Sequence, residues 1–220
     1  MNWNQIFSLV GISTLETLQM VFFSTIFSVI LGLPLGVLMC VTDSQTGIIP
    51  HPILNKILNR IVDVLRSFPF LILMIILFPL SRILIGTTIG TKATIVPLAI
   101  AAAPFVARIV ETSLKGLDSG LILAAKSMGS TSWQIITKVM IPECLPSLID
   151  GLTLTIINLI GYSAMAGTIG GGVLGDLAIR YGYQRYRLDV LVVSVIVILI
   201  LVGLIQMAGT MISKSLLKRR

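Results

Sequence analysis

The stretch LQMVFFSTIFSVILGLPLGVLMCV, residues 18–41, contains no charged side chain. A helix needs about 20 mostly apolar residues to cross the hydrocarbon of a bilayer. This run is long enough, and four more share its character: Val62 to Leu80, Ala93 to Val110, Leu148 to Ile169 and Leu188 to Ile212. The runs are too long for strands and do not alternate, which argues against a β-barrel. Of the 220 residues, 55% are hydrophobic and only 11% charged. A soluble fold of this size could not hide so much apolar surface. The expectation is an all-α integral membrane protein with five transmembrane helices.

Sixteen Lys and Arg against nine Asp and Glu give a net charge of +7. The cations are scattered among apolar runs and form no basic stripe, so nucleic acid is not an expected partner. They speak instead to orientation, because Lys and Arg concentrate on the cytoplasmic side. With the loop between the third and fourth runs inside, the inner set is Lys56, Arg60, Arg66, Arg108, Lys115, Lys126, Lys138, Lys214, Lys218, Arg219 and Arg220. The outer set is Arg82, Lys92, Arg180, Arg185 and Arg187. The imbalance favours an outside N-terminus and a cytoplasmic C-terminus. The cluster of Arg180, Arg185 and Arg187 runs against that count. The N-terminus Met1-Asn2-Trp3-Asn4-Gln5 carries no basic region of a cleaved signal. Cys40 and Cys144 read as two small thiols, not a disulfide framework.

The runs are not plain anchors. Gly32-Leu33-Pro34-Leu35-Gly36 places a G-x-x-x-G, which lets two backbones approach, around a proline that bends a helix. Pro69, Pro97 and Pro104 interrupt the second and third runs. Lipid tolerates such breaks where neighbouring protein re-satisfies the freed carbonyls, so the helices pack in a bundle. The kinks serve either packing or a hinge. Arg108 and Glu111, three apart, can pair on one helix face. Arg108 either snorkels to the headgroups or marks a polar path.

Residues 115–146 differ from the rest. Asp118 caps a short helix running through Met128, and Gly129 suits the left-handed residue that ends it. Thr131-Ser132-Trp133-Gln134 is a capping box, opening a helix expected to stop at Pro142. Trp133, Ile136 and Met140 form its apolar stripe, and Leu121, Ile122 and Ala125 that of the first helix. Two short amphipathic helices at a glycine corner suit either a groove on a partner protein or the membrane surface.

Ala124-Ala125, then Gly129, then Val139, Ile141 and Pro142, resembles the E-A-A-x3-G-x9-I-x-L-P loop of ABC-importer permeases. Leu123 stands where that family has Glu, so that Glu's ionic contact has no counterpart here. The resemblance extends over residues 12–206. Arg66-Ser67-Phe68-Pro69-Phe70, Pro104 to Arg108, Gly161 to Gly167 and Tyr181-Gly182-Tyr183 look like the methionine-importer permeases. The resemblance implies a type-1 ABC-importer transmembrane domain over 12–206, with a coupling loop at 118–142 and a basic cytoplasmic end at 207–220. It implies that Ala124, Ala125, Gly129, Trp133, Ile136, Val139, Ile141 and Pro142 couple to an ATPase. It further implies a homodimer in the bacterial inner membrane, two ATP-binding subunits using ATP and Mg, and an outer methionine-binding protein. The cargo would be methionine, D- and L-, or another amino acid or small solute.

Within the fourth run, Asn158, Tyr162 and Met165 share one helical face, and Ser163 adds a small hydroxyl. Polar groups in a span face a cavity or bond neighbouring helices, so these residues either line a route or tie helices together. By resemblance Met165 lies near the gate, where a soft thioether suits opening and sealing. Gly170 to Gly175 formally matches G-x-G-x-x-G, but no βαβ unit surrounds it. Gly86 to Lys92 lacks the G-K-[ST] of a phosphate loop. With His51 the sole histidine, no metal cluster or nucleophile–base pair emerges, so neither an enzyme nor a bound cofactor is expected. A channel without a motor is the remaining rival.

Overall fold

The computed structural model describes residues 2–168 and 170–218. Ile169, at the end of the expected fourth span, lies outside the described residues, as do Met1, Arg219 and Arg220. The described residues form helices and no strand: α1 Trp3–Val41, α2 Pro52–Ser67, α3 Phe70–Ile85, α4 Thr91–Lys115, α5 Ser119–Ser127, α6 Ser132–Gln134, α7 Ile141–Gly167, α8 Leu174–Leu177 and α9 Leu188–Leu217. Two π-helical stretches, Ile135–Met140 and Ala178–Tyr183, follow α6 and α8. Four continuous helical stretches are long and apolar enough to cross a membrane: Trp3–Val41, Thr91–Lys115, Ser132–Gly167 and Leu188–Leu217. The bent pair α2 and α3 makes a fifth candidate.

Three expectations need correction. The run at Val62 to Leu80 is not one straight span: the chain turns by 106° between α2 and α3. Pro69 stands at that corner, where it lacks an N–H for the ladder and disfavours helix in Phe68 before it. The helix opened by Thr131 does not stop at Pro142. It runs through the π-helical stretch into α7 and passes Pro146 as well. The wider turn, closed by Ile141 N–H on the Ile136 carbonyl, comes just before the residue that has no donor. Finally, α1 begins at Trp3, not near Leu18, so its 39 residues extend for about 58 Å. Pro34 lies inside it without ending it.

Four threonine hydroxyls along these helices are satisfied by their own backbones. Thr14, Thr17, Thr25 and Thr42 each donate to the carbonyl four residues back at 2.7 Å. In an apolar solvent this local bond costs nothing further in ordering and leaves those four hydroxyls paired.

The chain divides into two compact units, to which α1, α4, α7 and α9 each contribute. The first comprises Met1–Ser28, Phe68–Ala102 and Leu154–Met207. Met20, Val21, Leu98, Leu159 and Val173 form one of its clusters, and Ile6, Val10, Leu174, Leu177 and Val190 another. Gly170 and Gly172 take positive φ, letting the chain turn after α7. Gly90 N–H and Thr91 Oγ1 donate to the Gly170 and Gly171 carbonyls there. Two of the three clustered arginines have acidic partners: Arg180 pairs with Asp176 at 3.0 Å and Arg187 with Asp189 at 2.6 Å. Arg185 lies over the Tyr181 ring at 4.6 Å.

The second unit comprises Val29–Ser67, Ala103–Thr153 and Ala208–Arg220. Its largest cluster holds Cys40, Val106, Leu114, Ala125, Ile135, Met140 and Leu148. Here the G-x-x-x-G of α1 meets α4. A Cβ on Gly32 would lie 2.6 Å from the Ala103 carbonyl oxygen, and one on Gly36 would strike that of Ala107. The two glycines and two alanines, both four residues apart, bring the backbones together.

Gly36→Ala is therefore expected to destabilise by about 1–3 kcal/mol through overpacking. Gly11→Ala, in the same helix with open space around it, should be neutral or stabilising by up to about 1 kcal/mol. Thermal unfolding of the two variants in one detergent measures the contrast; equal shifts would refute the close approach.

Candidate functional site

The segment from Lys115 to Pro142 is anchored by charge before it is shaped by caps. Glu111 on α4 is only 2% exposed and bonds two cations, Arg108 at 2.6 Å and Lys115 at 2.9 Å. Arg108 also reaches Asp63 at 2.6 Å and the Asn59 side-chain oxygen at 2.8 Å, both on α2. Lys115 reaches Asp43, in the α1–α2 loop, at 2.7 Å. The expected Arg108–Glu111 pair is present. Arg108, however, spends its guanidinium on α2 and α4, not on a snorkelling contact. The hydrogen-bonded Lys115 ammonium, helped by the Gln45 and Thr46 amides, holds the Asp43 carboxyl well below the usual carboxylate range. The pair thus stays ionised at neutral pH and loosens only in strong acid.

Beyond this anchor the caps match the sequence reading. Asp118 accepts from Gly120 N–H at 2.9 Å and starts α5. Gly129 has φ +79, with its N–H on the Lys126 carbonyl and Ser130 N–H on that of Ala125. That double bond is a Schellman ending, and it needs the left-handed residue. Thr131 and Gln134 then close the capping box in both directions, at 3.3 and 2.9 Å. Two helix ends are fixed within five residues, so the corner is rigid.

The corner has two faces. Ala125, Ile136 and Met140 are buried in the unit's own core, and Ile122, Val139 and Ile141 pack against it. Ala124, Gly129 and Pro142 are exposed, and Trp133 is 72% exposed. Trp133 is therefore not on the inward stripe with Ile136 and Met140. Leu123 at 61% and Met128 at 85% join it outside. The residue expected to matter as a missing Glu thus contributes an exposed apolar group. Met128 caps the end of α5, a position to which apolar periodicity gives no signal. A cleft of about 300 Å³ opens beside this face, lined in part by Thr46, Gly47, Leu114, Leu123 and Lys126. Exposed apolar groups clustered on a rigid corner mark a contact surface.

In the first unit, Asn158 and Met165 are exposed on α7 together with Leu154 and Gly161, and Thr168 just past its end is exposed as well. These positions form one helical face. Tyr162 sits at its flank, half-buried and stacked on Phe70 at 4.5 Å with an interplanar angle of 11°. Ser163 points to the opposite side; it is buried and donates to the Ile160 carbonyl at 2.7 Å. An uncovered amide in a membrane-crossing helix calls for a polar neighbour other than lipid.

Residues 32–219 match the family of binding-protein-dependent transport system inner membrane components. The chain is 50% identical over 205 residues to the "Probable D-methionine transport system permease protein MetI" of Pasteurella multocida, covering 93% of this chain and 94% of that one. It is 47% identical over 165 residues to the methionine import system permease protein MetP of Bacillus subtilis, covering 75% and 74%. A solved inward-facing MetNI methionine ABC transporter aligns with TM-score 0.95 and 42% identity, over 98% of this chain and 99% of that one. An amino acid ABC transporter solved with histidines aligns with TM-score 0.78 at 20% identity, a likeness of fold alone. The fold is the type-1 ABC-importer transmembrane fold that the sequence motifs implied. With its helices, its capped corner and most of its length matched, the chain belongs to the binding-protein-dependent transport system inner membrane components.

Proposed function

We propose that this chain carries methionine, D- and L-, across the bacterial inner membrane by alternating access, as the membrane-spanning half of an ATP-driven importer. Two copies form the translocation unit. Two ATP-binding subunits grip the corner at Gly129 from the cytoplasm, and ATP and Mg are theirs. An outer methionine-binding protein delivers the cargo. The N-terminus faces outward and the C-terminus inward, in line with the excess of cations in the inner set. The coupling segment is 118–142, within a permease domain of 12–206, and 207–220 is a basic cytoplasmic end.

The observation that carries this reading is the two-faced corner. A loop that only floated on lipid would need neither a Schellman ending nor a capping box, nor a buried side fused to the unit's core. Leu123, Met128 and Trp133 supply an apolar knob for a groove on the ATPase. The cleft beside Leu123 has room for a side chain returned by that partner. The names of the relatives support methionine as cargo. Asn158 and Met165, on the uncovered face of α7, supply an amide and a thioether to the route. Coupling requires that the knob contact the two ATPase states differently, since equal contact transmits nothing.

Uptake of labelled methionine into vesicles holding this chain, its ATPase and its binding protein tests the reading. Saturable, ATP-dependent accumulation is expected. Passive equilibration indifferent to ATP would leave a channel, and accumulation of a different amino acid would replace the cargo. Trp133→Ala is expected to weaken ATPase co-purification by roughly ten-fold or more, as for an exposed aromatic anchor. Gly129→Ala forces a side chain into a left-handed residue at about 1–2 kcal/mol, and should cut ATP-driven uptake. Asn158→Leu should leave ATPase binding intact while lowering uptake; unchanged uptake would remove the α7 face from the route.

A further inference from the structure

Helix α2 is amphipathic in a direction opposite to that of a helix facing water. Its inward face mixes polar groups with Leu58 and Val62, which pack on Met39 and Ala107. Asn55 donates to the Met39 carbonyl at 2.7 Å and to Thr42 Oγ1 at 3.3 Å, Asn59 and Asp63 hold Arg108, and only Val62 is a fully buried apolar group. The outward face is a row of large apolar groups: Ile53, Ile57, Ile61 and Val64, each at least half exposed, continued by Phe68. Lys56 and Arg60 are exposed and fall along one flank of that row. Among the described residues neither has an acidic partner within ion-pair distance.

The chain leaves α2 through the 106° corner at Pro69 and enters α3. Helix α3 exposes Ile72, Ile75, Ile76, Ile83 and Leu84, the surface of a helix in hydrocarbon. With α3 as the crossing part of this bent pair, α2, set at nearly a right angle to it, runs along the bilayer boundary. There an apolar row sinks among acyl chains while long basic side chains reach back to the headgroups. We propose that α2 is an in-plane helix and that Lys56 and Arg60 bind the phosphate of anionic glycerophospholipids in the leaflet it lies on. The charge complement decides the occupant: two unpaired cations beside an apolar row match an acidic headgroup above acyl chains. The polar side cannot turn outward, because it is committed to α1 and α4.

The test uses the permease assembled with its ATPase in vesicles of phosphatidylcholine, alone or with phosphatidylglycerol added. A photoreactive side chain replaces Ile57 (Ile57→p-benzoylphenylalanine), and the adducts are identified by mass. Lipid adducts are expected, with phosphatidylglycerol enriched over its share of the vesicle. Lys56→Gln and Arg60→Gln should each reduce that enrichment roughly five-fold, and added salt should reduce it in the chain with both cations intact. Adducts on the ATPase or on a second permease copy would overturn the proposal. So would lipid adducts with no enrichment, or an enrichment indifferent to both substitutions and to salt.

Discussion

Glu111 sets the terms for half of this molecule. A carboxylate 2% exposed is tolerable only when paired and fully hydrogen-bonded, and here Arg108 and Lys115 supply that on either side of it. Each of those cations has a second acidic partner elsewhere in the chain. Arg108 carries the charge to Asp63 on α2, and Lys115 carries it to Asp43 after α1. One buried carboxylate thereby fixes three segments distant in sequence, and it does so at the root of α5. Replacing Glu111 alone would leave Arg108 on Asp63 and Lys115 on Asp43, but it would remove the one group that ties the two pairs together.

That anchor works with a second constraint, the lack of a hydrophobic drive between helices in lipid. Where apolar side chains gain nothing by meeting each other, shape and small residues decide. Gly32 and Gly36 approach Ala103 and Ala107 so closely that a single methyl would collide. The charge network and the small-residue contact lie in the same unit as the capped corner. The corner's buried face, Ala125, Ile135 and Met140, is thus set against a packed core.

The sequence was most readable where chemistry is local. Asp118, Gly129, Thr131 and Gln134 announce helix ends by hydrogen bonds that reach at most a few residues, and each stands where the pattern put it. The crossing runs were readable because bilayer thickness fixes their length. What stayed hidden had non-local causes. The 106° turn at Pro69 and the passage through Pro142 involve the same residue type and similar flanks. They differ in place: Pro142 follows a π-helical stretch in a continuing helix, whereas Pro69 stands where α2 has ended and α3 begins. Which face of a crossing helix is buried was equally obscure, since both faces are apolar and the usual periodicity vanishes. The outward aim of Trp133 escaped for a related reason. A stripe at i, i+3 and i+7 assumes an even α-helix, and the π-helical stretch after Gln134 rotates what precedes it.

The continuity of Ser132 to Gly167 changes what the corner can do. Had the chain stopped at Pro142, a push on Trp133 would be lost in a loop. In the proposed importer that push would instead enter one continuous helix, the one that carries Asn158 and Met165. The compliant places are the π-helical turns and the two prolines, where the ladder is thin. Ile135, Ile136 and Met140 hold the π-helical stretch in the core. A capped corner outside, a clamped irregular turn next to it and a long regular helix beyond are the parts a lever requires. In the proposed importer their order in the chain would put the force at one end and the amide and thioether at the other.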